Sequence, residues 1–542
     1  MAVLNYWWVT RPKRKLNSIP EVLAAFSNVA LSAQWSGSHD VQIEFEDELE
    51  RDGLKRIGLR RDHSGSGGRT YQAWLSSLGL IFIQENTGIP FLTLAGEAIM
   101  EGKSPVAVLT EQVLKYQFPS PFGIKTRVAS KFHVHPFIFL LRLLSDSRIE
   151  YLTEEEIAKV VMTEGVDDTN KCYEYIVSRL LAFRNTGDKS LPSDFIVTHA
   201  PSSGRVNLDH PYSHLTDTAN TMMNWLEYTQ LIYREEGKMK LQHDRYDDVR
   251  SILARKQSFI PRPEDHEFFQ RKYGLDPWHV KDTRNLLNTP AVSSKAIDMQ
   301  RIRQAFIAYS MHRPISKVNP SIVDEIANST GTDRRLVEAV LYKEYPHGAV
   351  GGFLSGYYEM AFKGRDEAVD FEIATTSIFK DIFGYDAKHL GQTGSKSAPD
   401  VLLISDSDGY QAIIDNKAYS QYSITGDHHN RMVHNYIENI SNYSDCRFPI
   451  GFFTYIAGGF ISTIDRQIQA EVVESKVCGS GITVGNMIRL VEEHQRSPYS
   501  HKELRNIFGL NRQIMLSDIA QCRMSASLLK VAEDSSKYGK KK

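Results

Sequence analysis

The chain has 542 residues, too many for one hydrophobic core, so we expect about three or four domains. Hydrophobic residues account for 41% and charged residues for 24%, which is typical of globular proteins, and no apolar run reaches the roughly 18 to 20 residues of a membrane span. The formal net charge of −2 excludes a strongly basic chain, so contacts to a nucleic acid must be sought in local clusters.

Two basic clusters lie near the N-terminus. Arg11, Lys13 and Arg14 belong to a run with four cationic side chains, and residues 51–70 hold six Arg or Lys against two Asp. Both are candidate phosphate contacts, and a solvated charged face is the common alternative. The basic run follows a short apolar stretch, the reverse of a secretory signal, and the four cysteines are widely spaced without a CxxC pair. We therefore expect a cytoplasmic protein without a disulfide framework or a zinc site.

A helix over 69–78 and two strands over 80–84 and 91–94 are predicted next. This is the element order of a winged helix, whose helix before the wing commonly enters the major groove. The candidate base-contacting residues are then Arg60, Arg61, Asp62, His63, Arg69, Thr70 and Gln72. Arg suits guanine and Gln suits adenine. The alternative is a winged helix that serves as a protein–protein module.

The same pattern recurs later in the chain. Trp74 and Trp225 each stand six residues before a Leu-Ile pair that begins a predicted strand. Ahead of the second copy, TEEE at 153–156 is a capping box that opens a helix, with apolar residues following on its inner face. We therefore predict two related winged-helix units with both tryptophans in the core.

The middle of the chain carries weaker signals. Residues 255–300 are rich in Pro, Asp and Arg and are predicted to form a connector, with helices resuming at about 297–309 and 320–342. The Gly-rich stretch 346–358 is predicted to be a hinge or domain boundary. The last residues, EDSSKYGKKK, are predicted to be a disordered tail.

The stretch APDVLLISDSDGYQAIIDNKAYS, residues 398–420, predicts two strands joined by a tight turn. If the turn is centred within DSDG, Asp400 faces Asp415, with Cβ atoms about 4.5 to 5.5 Å apart. Lys417 projects to the same face as Asp415 because strand side chains alternate. Two carboxylates this close repel each other unless a cation lies between them.

Hard oxygen ligands of this kind suit Mg²⁺, with Mn²⁺ as a substitute, and Mg²⁺ also accepts a phosphate oxygen. The main-chain carbonyl of Asn416 is a further candidate ligand, while its side chain points the other way. Such an ion polarises the phosphate, and Lys417 positions the attacking water or stabilises the developing charge. The pattern therefore predicts phosphodiester hydrolysis by Asp400, Asp415 and Lys417, although so loose a motif also arises by chance.

No nucleotide-binding motif accompanies this hairpin. GQTGSKS at 391–397 is not a P-loop because Ser395 interrupts Gly-Lys-Ser, and an EF-hand loop fails because Ile404 stands where an Asp or Asn is needed. We therefore expect a reaction without ATP. His428, His429 and His434 form either a metal site or, more commonly for a polar helix, a solvated face.

The run FEIATTSIFKDIFGYDAKHLG, residues 371–391, followed by PD and by IIDNKAYS, resembles the FokI-type cleavage domain of type IIS restriction endonucleases, in the PD-(D/E)xK superfamily. The later segments GFFTYIAGGF and SGITVGNMIRLVEEH match the order of that domain, and the resemblance covers about 355–510. It implies that Asp400 and Asp415 are metal ligands, Lys417 is the catalytic lysine and Glu372 is an accessory acid.

The N-terminal half is more faintly similar to the same family and to AlwI-like type IIS enzymes, through WVTRP and YQAWLSSLGLIFIQENTGIPFLTLAGEAI. The resemblance implies a prokaryotic type IIS restriction endonuclease that binds an asymmetric double-stranded DNA sequence and cuts at a fixed distance outside it. Each such nuclease domain cuts one strand, so self-association as a DNA-induced dimer or tetramer is implied. The alternatives are a strand-specific nickase and, from another class, a winged-helix DNA-binding regulator with a non-catalytic hairpin.

Together these patterns predict a multi-domain protein. Mainly α winged-helix (α+β) DNA-recognition domains are followed by an α/β PD-(D/E)xK nuclease domain with a mixed central sheet. The predicted divisions are two recognition domains at 1–130 and 131–255, a helical connector at 256–350, the nuclease domain at 351–530 and a tail at 531–542.

Overall fold

The protein is described here by a computed structural model. The described residues are 3–521 except 32, 57–63, 102, 123–126, 202, 205, 208, 236, 243–244, 287–293, 313, 316, 346–347, 363–367 and 392–397. Side chains are also left undescribed at 235, 294–297, 300, 304, 308, 311–312, 351–352, 355 and 359. The predicted DNA contacts Arg60, Arg61, Asp62 and His63 and the predicted tail at 531–542 lie outside the described residues.

The chain forms two compact units, which confirms the predicted multi-domain organisation. The first consists of Met1–Tyr309 with Val318–Pro346, and the second of Ser310–Lys317 with His347–Lys542. The finer division at 130, 255 and 350 stays a prediction. In the part of the chain that the structure describes, no helix combines the length and the apolar character needed to cross a membrane.

In the described part of the chain, the first unit contains most of the helices and five short strands. Its helices are α1 (Ile19–Ala30), α2 (His39–Arg51), α3 (Ser66–Ser77), α4 (Leu94–Met100), α5 (Pro105–Leu114), α6 (Pro136–Leu144), α7 (Glu154–Glu156), α8 (Met162–Glu164), α9 (Asn170–Thr186), α10 (Phe195–Thr198), α11 (Ser213–Tyr228), α12 (Tyr246–Ala254), α13 (His266–Tyr273), α14 (Ser294–His312), α15 (Pro320–Thr330) and α16 (Arg334–Glu344). A π-helical segment, Ile157–Val161, joins α7 to α8, and a 3₁₀ turn, Gly187–Ser190, follows α9. The strands are β1 (Ile81–Ile83), β2 (Pro90–Leu92), β3 (Leu152–Thr153), β4 (Ile232–Glu235) and β5 (Lys238–Leu241).

The first predicted helix and hairpin are present as α3, β1 and β2. The two strands are antiparallel, with Ile81 opposite Leu92, and Trp74 is fully buried. Gly79 has a φ of +69° between α3 and β1, a left-handed backbone angle that favours glycine. Helix α13 packs on β1, where the amide of buried Gln270 donates to the carbonyls of Ser76 and Ile81. Part of the predicted connector therefore belongs to the core of this unit.

The second helix and hairpin are present as α11, β4 and β5. Here β3 adds a third strand, in the order β3-β5-β4, with all pairs antiparallel. Thr153 and Glu156 form the predicted capping box, and Trp225 is fully buried. One continuous cluster of buried apolar residues extends from Leu4 to Tyr273 and contains both tryptophans.

One local prediction was wrong, and a second stretch holds a helix that was not predicted. The single helix expected at 320–342 is two helices, because Gly331 takes a left-handed φ of +65° after α15 and the Asp333 side chain caps the start of α16. The stretch 346–358, predicted to be a hinge or domain boundary, does begin where the first unit ends at Pro346 and the second resumes at His347, and it also contains most of a helix, α17 (Gly351–Met360), in the second unit. Burial of Phe353 and Tyr357 outweighs the low helix propensity of its glycines.

The second unit is built on a six-stranded mixed sheet. Its strands are β6 (Asp386–His389), β7 (Val401–Ser405), β8 (Tyr410–Lys417), β9 (Ile450–Ala457), β10 (Gly479–Thr483) and β11 (Gln513–Ile514), in the order β11-β10-β9-β8-β7-β6. Strands β6, β7 and β8 pair antiparallel, whereas β8 to β11 are parallel. The predicted mixed central sheet is thus confirmed, and β8 lies where the pairing changes from antiparallel to parallel.

Helices cover both faces of this sheet. Besides α17 they are α18 (Ala368–Ser377), α19 (Gly426–Asn430), α20 (Ile464–Ser475), α21 (Val484–Arg496) and α22 (His501–Phe508). Two π-helical segments, Ile378–Ile382 and Arg431–Ile437, follow α18 and α19, and a 3₁₀ turn spans Ile440–Asn442. Alternate residues of β8 belong to different cores. Ile414 packs with residues of α17, α18, α21 and α22, whereas Ile413 packs with the π-helical segment Arg431–Ile437 and with α20. Each strand of the sheet centre is therefore buried on both faces.

Candidate active site

The charged residues of the 398–420 hairpin meet at the end of β7 and β8. The register runs from Ser405 opposite Tyr410 to Val401 opposite Ile414, which confirms the predicted pairing. Continued by one residue, it places Asp400 opposite Asp415. The main-chain N–H of Asn416 donates to Asp400 Oδ2 over 2.6 Å, which fixes the Asp400 carboxylate at this end of the hairpin.

Alternation along β8 separates the three polar residues at its C-terminal end. Asp415 is 3% exposed, and its Oδ2 lies 2.7 Å from Lys417 Nζ on one face of the sheet. Asn416 points to the other face, where its amide donates to Thr375 Oγ1 of α18 over 2.6 Å. Thr375 in turn lies 3.0 Å from the Tyr357 hydroxyl. The Asn416 side chain therefore points away from Asp415 and Lys417, as the alternation predicted, and its amide anchors β8 to α18.

The buried charges strongly influence one another. Burial, the negative charge of Asp415 and that of Glu372 raise the pKa of Asp400 well above its usual range, and Lys417 only partly offsets them. For Lys417, burial opposes the charged form, but Asp415 and Asp400 outweigh burial and raise its pKa. The ammonium therefore stays charged, while two carboxylates share one cationic partner.

Glu372, the predicted accessory acid, lies on α18 at the edge of this cluster. Its Oε2 accepts a hydrogen bond from His389 Nε2 over 2.8 Å, and both side chains are 14% exposed. The backbone of Gly391 passes close to the pair, since a Cβ at that position would overlap Glu372 Oε2. Sequence reasoning named Glu372 but gave no role to His389, Gly391 or Thr375. The only signal was the string in which His389 and Gly391 stand.

The donor set fits a hard divalent cation. Among the residues that the structure describes, no group of three or more His, Cys, Asp or Glu side chains is arranged to hold a metal ion. The available ligands are the carboxylates of Asp400 and Asp415 and the main-chain carbonyl of Asn416. These few protein oxygens suit Mg²⁺, because this ion keeps several water molecules as its remaining ligands. Burial and the negative charges of Asp415 and Glu372 raise the pKa of Asp400, and a divalent cation would compensate those charges.

The described DNA-contact candidates lie on two separate elements of the first unit. The Arg11 guanidinium stacks over the Trp8 ring at 4.2 Å, and Arg14 pairs with Asp217 of α11 over 2.7 Å. Lys13 lies between them. This basic segment is thus tied to the second helix and hairpin rather than to the first.

Arg69, Thr70 and Gln72 lie on α3, before the first hairpin. Arg69 donates to Gln42 Oε1 over 2.7 Å and to the Ser64 carbonyl, so its guanidinium already joins α2 to the chain that enters α3. Thr70 and Gln72 bond within α3, to the Ser66 carbonyl and the Ser76 hydroxyl. Of the three side chains, Thr70 is the most exposed.

Comparisons with known proteins point to one family. The family model described as "FokI, cleavage domain" matches residues 331–515. The type II restriction enzyme StsI of Streptococcus sanguinis is 26% identical over 150 residues, which are 26% of this chain and 24% of that protein. The alignment therefore spans about a quarter of the length of that relative.

Solved structures give weaker similarity. The restriction endonuclease FokI covers 95% of this chain and 100% of its own, with 15% identity and a TM-score of 0.27. The BpuJ1 endonuclease binding domain, in complex with pyrene- and phenanthrene-modified DNA, covers 50% of this chain and 97% of its own, with 14% identity and a TM-score of 0.34. The matched region at 331–515 includes every strand of the mixed sheet and the Asp400, Asp415 and Lys417 cluster. Residues 331–515 of this chain are thus similar to the FokI cleavage domain.

Proposed function

We propose that this protein is a type IIS restriction endonuclease. It binds an asymmetric double-stranded DNA sequence and hydrolyses phosphodiester bonds at a fixed distance outside it, with Mg²⁺ or Mn²⁺ and without ATP. The observation that carries the proposal is the buried pair Asp400 and Asp415 with Lys417 bonded to Asp415, within a sequence that matches the FokI cleavage domain.

Asp400, Asp415 and the main-chain carbonyl of Asn416 would hold the Mg²⁺. When bound, the ion polarises the scissile phosphate and lowers the pKa of a bound water. Asp400 is kept in place by the Asn416 N–H, and Asp415 holds Lys417 at 2.7 Å, so the ammonium is oriented before DNA arrives. Lys417 then stabilises the charge that develops on the phosphate or positions the attacking water. Glu372 contributes an accessory carboxylate at the edge of the site.

Recognition is assigned to the first unit. Two winged helices, each a helix followed by an antiparallel hairpin, would read the DNA with α3 and α11. The assigned contacts are Arg11, Lys13, Arg14, Arg60, Arg61, Asp62, His63, Arg69, Thr70 and Gln72. Those of the basic segment suit phosphates, and those of α3 and the chain before it suit base edges. The Arg14–Asp217 pair supports this division, because it places the basic segment beside α11.

Cutting both strands requires two nuclease domains, since the described residues of the domain form one cluster of this kind. We propose that the chain self-associates through the second unit, as a dimer or tetramer that forms on DNA. A protein that cannot pair would nick one strand with the same chemistry. The proposed location is the prokaryotic cytoplasm, where the DNA substrate is found.

The decisive experiment is to incubate the purified chain with long duplex DNA in Mg²⁺ and, separately, in EDTA, and to sequence every new end. Ends at a constant offset from one asymmetric motif, present in Mg²⁺ without ATP and absent in EDTA, are the expected result. Ends on one strand only would replace the proposal with a nickase. Sequence-specific binding without any ends would indicate a DNA-binding regulator and would overturn it.

A further inference from the structure

His389 links the accessory carboxylate to the edge of the sheet. It is the last residue of β6, where it lies opposite Val401, the first residue of β7. Its Nε2–H donates to Glu372 Oε2 over 2.8 Å, across from α18. The next residue, Leu390, donates its main-chain N–H to the Asp400 carbonyl over 2.8 Å. His389, which orients Glu372, is therefore the neighbour in the chain of a residue whose backbone is hydrogen-bonded to Asp400.

Gly391 completes the same arrangement. A Cβ at this position would overlap Glu372 Oε2 and lie 3.1 Å from His389 Nε2. Gly391 does not take a left-handed φ, so the requirement for glycine here comes from the two side chains that need the space rather than from the backbone angle. Because glycine has no Cβ, the Glu372 carboxylate and the His389 imidazole have room to form their hydrogen bond beside the site.

We infer that His389 and Gly391 are positioning residues, which hold the Glu372 carboxylate at the Asp400 end of the site for phosphodiester hydrolysis. The inference rests on the proposed nuclease function and extends it to residues that neither the motif nor the family match assigns. A free Glu372 side chain has several rotamers, and the 2.8 Å bond from His389 favours those that keep the carboxylate beside β6. Both side chains are mostly buried, so water competes weakly for the bond.

The test measures single-turnover cleavage against Mg²⁺ concentration, with DNA affinity measured in EDTA. His389→Leu removes the donor and is expected to slow cleavage roughly 10- to 100-fold and to raise the Mg²⁺ midpoint, with DNA affinity unchanged, as is usual for groups that orient metal-site carboxylates. His389→Gln places an amide donor near the Nε2 position and is expected to stay within about threefold of the wild type. Gly391→Ala displaces the carboxylate without removing a polar group and is expected to act like His389→Leu.

A double-mutant cycle separates positioning from an independent role. If His389 acts through Glu372, the His389→Leu/Glu372→Gln protein cleaves at the rate of Glu372→Gln alone. His279→Leu is the matched control, since His279 Nδ1 makes a 2.8 Å bond to Asp276 in the first unit. That variant is expected to cleave at the wild-type rate.

Several results would overturn the inference. Wild-type rate and Mg²⁺ midpoint for His389→Leu, or additive losses in the double variant, would remove His389 from the role. If His389→Leu melts at a markedly lower temperature, its slow cleavage no longer tests the inference, and the test then rests on Gly391→Ala and His389→Gln. A wild-type cleavage rate for Gly391→Ala would then count against the inference. If the wild-type chain cuts no DNA, the proposed function fails first and the inference with it. Cleavage by the wild type that is insensitive to all three changes refutes the inference alone.

Discussion

Glu471 provides a quantitative test of the electrostatics beneath the site. It lies on α20 and is fully buried, and its Oε1 accepts a hydrogen bond from the Tyr455 hydroxyl over 2.9 Å. Tyr455 is opposite Asp415 in the β8–β9 pair. Among the described residues, no side chain or backbone group bonds to Glu471 Oε2. Burial, assisted by the charge of Asp415, raises the pKa of Glu471 to about 8, despite the bond from Tyr455.

The consequence for stability follows from the sign of this pKa change. Because the folded pKa lies above that of an unfolded glutamate, the contribution of Glu471 is fully present below about pH 4.5 and is lost as the pH rises through about 8. Each pKa unit is worth about 1.4 kcal/mol, so Glu471 alone should lower the free energy of unfolding by about 3 to 4 kcal/mol between pH 5 and pH 8. Glu471→Gln keeps the shape and the acceptor for Tyr455 but cannot ionise.

The assay is amide hydrogen exchange at β9, in EDTA, for the wild type and Glu471→Gln at pH 5 and pH 8. We expect the variant to gain about 3 to 4 kcal/mol of protection relative to the wild type over this range. The control is Glu474→Gln, three residues further along α20 and half exposed, for which the change should stay within about 0.5 kcal/mol. A difference between Glu471→Gln and wild type that does not vary with pH would refute the reasoning.

Four further measurements test other parts of the structure. Lys417→Ala should slow single-turnover cleavage at least about 10³-fold with DNA affinity unchanged, and near-wild-type cleavage would exclude its role. Asp400→Asn removes a charge that burial disfavours, so the metal-free protein should melt roughly 2 to 4 °C higher and Mg²⁺ should no longer raise its Tm; a lower Tm would contradict this. Thr375→Val leaves the buried Asn416 amide without its acceptor and should reduce protection of β8 by about 1 to 3 kcal/mol, whereas unchanged exchange would mean that the bond is not formed in solution. Arg69→Ala should cost about 1 to 3 kcal/mol in specific DNA binding if it contacts a base. All six tryptophans lie in the first unit, so a lower unfolding midpoint by tryptophan fluorescence with unchanged affinity would instead assign Arg69 a structural role.

The hairpin was predictable because its signals are local. The DSDG turn sets the register, and the period of two then decides which side chains share a face. These two facts correctly paired Val401 with Ile414 and placed Asp415 and Lys417 together. The capping box at Thr153 and the two helix–hairpin pairs were predictable for the same reason, since each depends on residues close in sequence.

Contacts between distant residues were not predictable in this way. Nothing near Glu372 in the sequence indicates that its partner is His389, since the bond depends on how α18 packs against the edge of the sheet. The burial of α13 against β1 likewise follows from tertiary packing. The surrounding sequence is rich in Pro and Asp, so it does not indicate a buried helix. The break at Gly331 is different, because a glycine followed by a capping Asp does indicate the end of one helix and the start of another. The helical spacing of apolar residues on both sides nevertheless favoured one continuous helix.

Strand β8 shows why the polar residues at its C-terminal end stand in the order Asp, Asn, Lys. On one face, Asn416 is bonded to Thr375 of α18, between apolar residues of that core. On the other face, Asp415 and Lys417 neutralise each other beside Asp400. A slip of one residue would turn two charges into the α18 core and the amide into the site, and it would leave Thr375 without Asn416. The register that creates the acidic pair is therefore specified from both faces of the sheet, so the geometry at Asp400 does not depend on the turn alone.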